Sequence, residues 1–559
     1  MKNLSVVLGV IAFSILFVSC QTGGDARDGT KAVIYHNGDI ITMAEPLYAE
    51  AVRVEGGKIT HIETSADIMK LSDRNTMLVD LKGKTLLPSF IDTHSHVVQL
   101  AQSYLGANLS EAKNFDDIVN LIKDHIAEFP PAPDAVITAS GYDNNFLAEK
   151  KHPTREVLDK VSTEYPIIIS HASGHMGVVN TKALELMGIG KNTPDVEGGL
   201  IERDENGEPT GYLEENAFIN YAKDAVKPPS VEDMVNLVDK ALDTYLRYGV
   251  TTVQEGLMGG FEFSILETMS QRGQLKADVI GFVDLKNAGE LSRENKDLIG
   301  IYKNRFKIGG YKIFLDGSPQ GKTAWLTKPY ENSGDYRGYP IYTDAEVDAF
   351  VRIAMDDKMQ LQSHCNGDAA SDQIINSFKR IIAEKNLADT FRPVMIHCQT
   401  ARPDQYPEMA KIGMIPSIFV SHIYYWGDIH LQNLGWERAS RISASRSALN
   451  SNLPFTYHED TPVIQPNTLE SVWAGVNRIT RNGVQLGDFE RVDAFDALKA
   501  VTINAAYQNK EENSKGSLEP GKRADLVILS DNPLKTEAMD IRDIEVLETI
   551  KDGLTVFKK

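Results

Sequence analysis

The chain has 559 residues, 42% hydrophobic and 24% charged, which is enough to bury a large core and to build more than one structural unit. Its 58 basic and 78 acidic side chains leave a formal charge of -20, which argues against nucleic acid or an anionic membrane surface as a partner and leaves solubility as the plain explanation. Three cysteines, Cys20, Cys365 and Cys398, exclude a disulfide framework.

Met1-Lys2-Asn3 and the apolar run from Leu4 to Val18 read as a signal peptide, too short for a membrane span. The ending Phe17-Val18-Ser19-Cys20 resembles a bacterial lipoprotein signal, although Phe17 replaces the usual Leu; ordinary secretion with a spare cysteine is the alternative. The expectation is export to the bacterial cell envelope, periplasmic or cell-surface, with the only membrane contact a lipid anchor at Cys20. The polar stretch from Gln21 to Thr30 then reads as a tether.

Residues 31–85 alternate in short segments, Val33 to Gly38 and Ala51 to Ile59, punctuated by Asn-Gly and Gly-Gly, the pattern of antiparallel hairpins. Matching segments return at residues 516–559, in Gly516 to Leu529 and Leu547 to Phe557. The two chain ends are expected to pair into one small β-sandwich module flanking what lies between.

Between them, strand-like runs alternate with helical patterns, the signature of βα units. A strand opening at Leu86 is followed by Gly249 to Gln254, Asp278 to Val283, Gly310 to Leu315, Met359 to His364, Pro393 to His397, Ile415 to Phe419 and Pro454 to Asp460. Eight strands suffice for an α/β fold of the (β/α)8 TIM-barrel type over residues 86–515. The count requires residues 101–247 to be an α/β insertion after the first strand. It carries strand-like pieces of its own at Ala135 to Thr138 and Pro166 to Ser170, and its position makes it a candidate lid.

The first strand ends in His94-Ser95-His96, and period-2 geometry sends both imidazoles to one face, a suitable arrangement for a divalent metal. Lys312, His364, His397 and Asp460 fall near the ends of the fourth, fifth, sixth and eighth strands, at the rim where barrel active sites gather. By alternation His458 shares a face with Asp460 while Glu459 turns away, and Cys365 and Cys398 turn outwards as buried filler. After the seventh strand, His422 and the aromatics Tyr424, Tyr425 and Trp426 either line a substrate pocket or pack the loop.

This pattern resembles the amidohydrolase superfamily, and more narrowly its YtcJ-like branch, amidohydrolase family 3. The resemblance rests on Leu87 to His96, Lys312 to Ser318, His364 to Ala369 and Gly516 to Leu526, and it runs from about Ala32 to the end. It implies that His94 and His96 bind one divalent metal, usually Zn²⁺, with Asp460 beside it. His364 and His397 would hold a second metal or complete the site. Lys312 matches a lysine that is carbamylated and bridges two metals in many relatives; the alternative is an unmodified lysine that binds substrate or pairs with Asp316. The resemblance also implies a substrate-facing segment around His171 and His175, where structural histidines are the other reading. His458 and Glu459 depart from the Gly-Ser-Asp approach common in the branch. His458 is then a group behind the ligands or a competitor for the metal.

The implied activity is metal-dependent hydrolysis of a C–N bond in a small amide, N-acyl or formamide substrate, with Asp460 moving the proton. A deaminase or cyclic amidase would use the same site, and a non-catalytic envelope binding lipoprotein is the reading from a different class.

Overall fold

The computed structural model describes residues 31–559, apart from 145, 172–175, 197–198 and 227–228. The leader and tether expected at 1–30, with Cys20, and the candidate His175 lie outside the described residues.

Eight parallel strands form the central sheet: β1 (Phe90–Ile91), β2 (Val250–Met258), β3 (Asp278–Asp284), β4 (Phe306–Phe314), β5 (Gln360–Cys365), β6 (Val394–His397), β7 (Ile415–Ile418) and β8 (Thr456–Tyr457). They neighbour one another in chain order, the expectation for repeated βα units joined by helical crossovers. The strands are buried almost throughout, and in β3 six of seven residues are buried. The sheet curls, and its two outer strands approach each other: Thr93 Oγ1 donates to Tyr457 O at 2.8 Å, and Asp460 N donates to His94 O at 3.2 Å.

The interior beneath the C-terminal rim is filled by amides as well as by aliphatic side chains. Gln362 Nε2 donates to Gln254 Oε1 at 3.1 Å, Gln254 Nε2 to Asn509 Oδ1 at 3.0 Å, and Gln508 Nε2 to Thr93 O at 2.9 Å. Every one of these amides is buried, and the network satisfies part of their hydrogen-bonding capacity, leaving Gln362 Oε1 and Asn509 Nδ2 without partners among the described residues.

The parallel register decides which rim residues meet. Phe314 lies beside His364, Cys365 beside His397, and Ile418 beside Tyr457, so consecutive strands end level and deliver their last side chains to one place.

Both chain ends enter one eight-stranded mixed sheet, with Leu526–Leu529 antiparallel to Thr85–Pro88, which in turn pairs with Val33–Ile41. This corrects the expected start of the central unit at residue 86. Leu86, Leu87 and Pro88 belong to the terminal sheet, and the chain crosses at Ser89 into β1. Apolar alternation identifies a strand and says nothing of which sheet receives it.

The insertion carries a six-stranded sheet, including Ile137–Tyr142 and Ile167–His171, with its own apolar cores. The boundary expected at 247 includes one helix too many. Val231–Arg247, capped by Ser230 and Asp233, buries Val238, Leu242 and Leu246 in the same core as Phe90 and Val253, and so covers the central sheet.

Candidate functional site

The paired histidines converge for a different reason from the one the sequence suggested. β1 ends at Ile91, so no strand pleat orients His94 and His96. A turn knotted by Asp92 does so instead. Its Oδ1 accepts from His94 N at 3.1 Å, and its Oδ2 accepts from Gln254 N at 3.0 Å and from Ser95 Oγ. Burial pushes the Asp92 carboxyl up to about 6, against these hydrogen bonds. The turn brings the His94 and His96 rings to 5.0 Å, edge to face.

Asp460 faces both. Its Oδ1 lies 3.4 Å from His96 Nε2 and 3.5 Å from His94 Nε2, and its Oδ2 lies 4.0 Å from His397 Nε2. The backbone at Asp460 and at His397 is left-handed, φ 52° and 72°, a costly conformation that aims both side chains inwards at the rim. Lys312 Nζ, fully buried, lies 3.1 Å from His94 Nε2. His364 Nδ1 lies 3.1 Å from His397 Nε2, and His458 Nε2 lies 3.2 Å from His397 Nδ1. Lys312, His94, His96, His364, His397, His458 and Asp460 therefore form one cluster drawn from strand ends far apart in sequence.

Its electrostatics suit a cation. Burial, reinforced by the Lys312 charge, holds His94 well below the ordinary imidazole range and His364 at about 3; burial and the neighbouring His364 and His458 hold His397 well below that range. All three are neutral with a lone pair available. Burial would lower His96 as well, but Asp460 and Glu255 raise it to about 9. Burial opposes ionisation of Asp460, yet His96 keeps its carboxyl below the usual range, so it is anionic at neutral pH. The donor set fits a divalent ion on two observations. Ligand atoms of His94, His397 and Asp460 lie within 4.8 Å of one another, and the buried Asp460 Oδ1 has no well-formed hydrogen bond.

Of the other candidates, Asp316 borders the cluster, its Oδ1 3.8 Å from His364 Nε2. Asp316 is buried and accepts from the backbone N–H groups of Trp325, Asn366 and Gly367, which occupies its carboxyl with holding the loops after β4 and β5 together. His171 sits in the insertion beside Asp143, at 3.5 Å, and beside the Tyr142 and His152 rings. His422 Nδ1 pairs with His430 Nε2 at 3.0 Å, and its ring packs on Phe419, which touches His458. Tyr424 and Tyr425 turn instead to Trp473 and Glu470. Cys365 and Cys398 are fully buried in the central core, and Glu459 lies buried away from the cluster, its carboxyl raised to about 8 by burial.

Two residues were not anticipated. Glu255, on β2, is buried; its Oε2 accepts from Val98 N at 2.8 Å and its Oε1 lies 3.6 Å from His96 Nδ1. Gly256 follows it and lies directly against the His94 ring. An acid closing a β-branched run, Val250-Thr251-Thr252-Val253-Gln254-Glu255, at the level where rim residues gather was the available signal for the first.

Residues 77–557 match the family model described as Amidohydrolase family. The chain belongs to the amidohydrolase family. It is 25% identical over 523 residues to N-substituted formamide deformylase of Arthrobacter pascens, covering 91% of this chain and 95% of that one. Two solved structures superpose at a TM-score of 0.71, both described as uncharacterised metal-dependent hydrolases. One is from Pyrococcus horikoshii OT3, 25% identical, covering 91% of this chain and 99% of that one. The other is from Pyrococcus furiosus, 24% identical, covering 90% of this chain and 100% of that one. The protein is an amidohydrolase, a hydrolase of C–N bonds, and the non-catalytic reading is set aside.

Proposed function

We propose that this amidohydrolase holds Zn²⁺ on His94, His397 and Asp460 and on His96, which gives up a ring proton on binding, with His364 and a carbamylated Lys312 available to a second ion, and that it cleaves an amide, N-acyl or formamide bond. The observation that carries this reading is the convergence of His94, His397 and Asp460 ligand atoms within 4.8 Å. Imidazole nitrogens with a carboxylate are the donors of catalytic zinc sites. A bound ion supplies Lewis acidity, acidifying water and polarising a carbonyl.

The remaining chemistry belongs to the chain. Asp460, anionic at neutral pH, accepts the proton of the attacking water and returns it to the leaving nitrogen, so that an amine departs instead of an amide anion. The side chains of Asp460, His96 and His364 keep 15%, 14% and 14% exposure in an otherwise closed cluster, so the substrate carbonyl approaches over them. Burial brings Lys312 down to about 7, which populates the free amine. That amine adds CO2, forming an N–C bond and releasing one proton, and becomes an anionic oxygen donor where the unmodified ammonium could not ligate.

The proposal includes closure of β1 against β8 as a complete (β/α)8 barrel, supported by the Thr93–Tyr457 and His94–Asp460 hydrogen bonds. It also includes a terminal sheet folded over itself as a sandwich, supported by Ile59 and Ile550 meeting in one core from distant strands. Export with a lipid on Cys20 is part of the reading, and membrane fractionation of a Cys20→Ala variant tests it. For the activity, metal content is measured after reconstitution, and the parent, His397→Ala and Asp460→Asn are assayed on N-acyl amines, N-acyl amino acids and N-substituted formamides. Absence of any transition metal, or equal rates for the parent and Asp460→Asn, overturns the reading.

A further inference from the structure

Three imidazoles of the site lie on one continuous line of hydrogen bonds. Asn366 Nδ2 is 2.9 Å from Gly317 O and 3.0 Å from His364 Nε2. His364 Nδ1 is 3.1 Å from His397 Nε2, and His397 Nδ1 is 3.2 Å from His458 Nε2. His458 Nδ1 is 2.9 Å from Ser417 Oγ, which is 3.3 Å from Thr93 Oγ1, which is 2.8 Å from Tyr457 O.

Both ends of this line are backbone carbonyls, and a carbonyl only accepts. At Tyr457 the hydroxyl of Thr93 must donate. Its oxygen then accepts from Ser417, and the Ser417 oxygen accepts from His458 Nδ1–H. At Gly317 the neighbouring atom must be the amide nitrogen of Asn366, so Asn366 also donates to His364 Nε2 and the proton of that ring sits on Nδ1. Every imidazole carries at least one N–H, so a ring that accepts at one nitrogen donates from the other. The direction imposed at one end agrees with the direction imposed at the other: His364 Nδ1–H donates to His397 Nε2, and His397 Nδ1–H donates to His458 Nε2. Thr93, Ser417 and His458 are fully buried, so water does not relax the constraint.

We propose that His458, backed by Ser417 and Thr93, is a positioning residue that locks His397 as its Nδ1–H tautomer, which leaves Nε2 as the donor nitrogen that a metal takes over from the His364 Nδ1–H. The inference rests on the metal reading above. His397 thereby has its proton on the nitrogen away from the ion and can ligate through Nε2 once the His364 N–H turns from it. His364 Nδ1 cannot ligate until its proton moves to Nε2 and the Asn366 amide turns. The departure of His458 from the family's usual approach to the acid thus acquires a role: the nitrogen that a ligating imidazole turns away from the ion needs a partner that fixes the tautomer.

The test uses the full chain, metal-free, with ring-¹⁵N histidine. Long-range ¹⁵N–¹H spectra, assigned by single substitutions, should give Nδ1–H signatures for His364, His397 and His458. In parallel, Zn²⁺ affinity is measured by chelator competition. His458→Leu should lose roughly 10–100-fold, while His458→Gln, whose Oε1 can accept from His397 Nδ1, should recover most of it. An Nε2–H signature on His397, or a folded His458→Leu with the parent's affinity, overturns the proposal. If His458→Leu fails to fold, the parent's tautomers decide. A parent that binds no Zn²⁺ but shows the three Nδ1–H signatures overturns the metal reading and supports the relay.

Discussion

Replacing Gly256 by alanine should disable the site without unfolding the protein. A methyl group there lies 2.5 Å from His94 Cε1, 2.7 Å from His94 Nδ1 and 2.9 Å from Ser95 O. Non-bonded carbon contacts settle near about 3.5–4.0 Å, so the imidazole would have to retreat by about 1 Å. It has no free space to enter, because the ring is buried and its far nitrogen faces Lys312 Nζ at 3.1 Å and Asp460 Oδ1 at 3.5 Å. Overpacking of this kind costs about 1–3 kcal/mol, and a displacement of about 1 Å among reacting groups costs about 100-fold in rate. Gly256→Ala should therefore retain its far-ultraviolet circular dichroism, lose stability by that amount, bind Zn²⁺ more weakly in chelator competition and turn over about 100-fold more slowly. Gly260→Ala is the control, since a methyl there meets no atom within 4 Å. A Gly256→Ala protein with the parent's metal affinity and turnover would refute the claim that His94 has a single admissible position.

Asp460→Asn keeps the shape of the acid and removes its basicity, so kcat should fall by about 10²–10⁴-fold in steady-state assays of metal-loaded protein. Glu255→Gln removes the charge 3.6 Å from His96 Nδ1 and should weaken Zn²⁺ binding by about 10–100-fold, read by isothermal titration, with little change in the fold. Acid should unfold the protein through the ion cluster beneath the sheet, where Lys515 bridges Asp278 at 2.6 Å and Glu511 at 2.9 Å. Burial would raise Glu511, but Lys515 and Lys307 hold it at about 2, below its unfolded value. Its contribution, about 3 kcal/mol, is complete above roughly pH 4.5 and lost as pH falls towards 2. Glu511→Gln should be less stable near neutral pH and lose less on acidification, measured by urea unfolding across that range.

The site was legible to the extent that residue type and strand position carry it. His94, His96, His364, His397 and Asp460 fall at or just beyond the ends of strand-like runs and Lys312 close to the end of one, and parallel strands ending level gather such residues at one rim. The same alternation placed His458 with the cluster and Glu459 and Cys365 away from it. It failed where the chain leaves regular structure. His94 and His96 lie in an Asp92-knotted turn beyond β1, and Asp460 and His397 adopt left-handed backbone that no side-chain period describes. Glu255 passed unnoticed because a single acid after a mixed run of Val, Thr and Gln resembles a helix cap or a surface charge until its neighbours are known.

Composition, hydropathy period and turn chemistry were local properties, and they sufficed for the βα alternation, the extra unit within the chain and the identity of the metal-competent residues. Tertiary structure decided which sheet received Leu86 to Pro88, which helix of the insertion region covered the central core, and which buried histidines lie within hydrogen-bonding distance of one another. Those outcomes depend on contacts between residues hundreds of positions apart, where the energy of a buried hydrogen bond or a displaced ring is set by the partner and not by the segment that carries it.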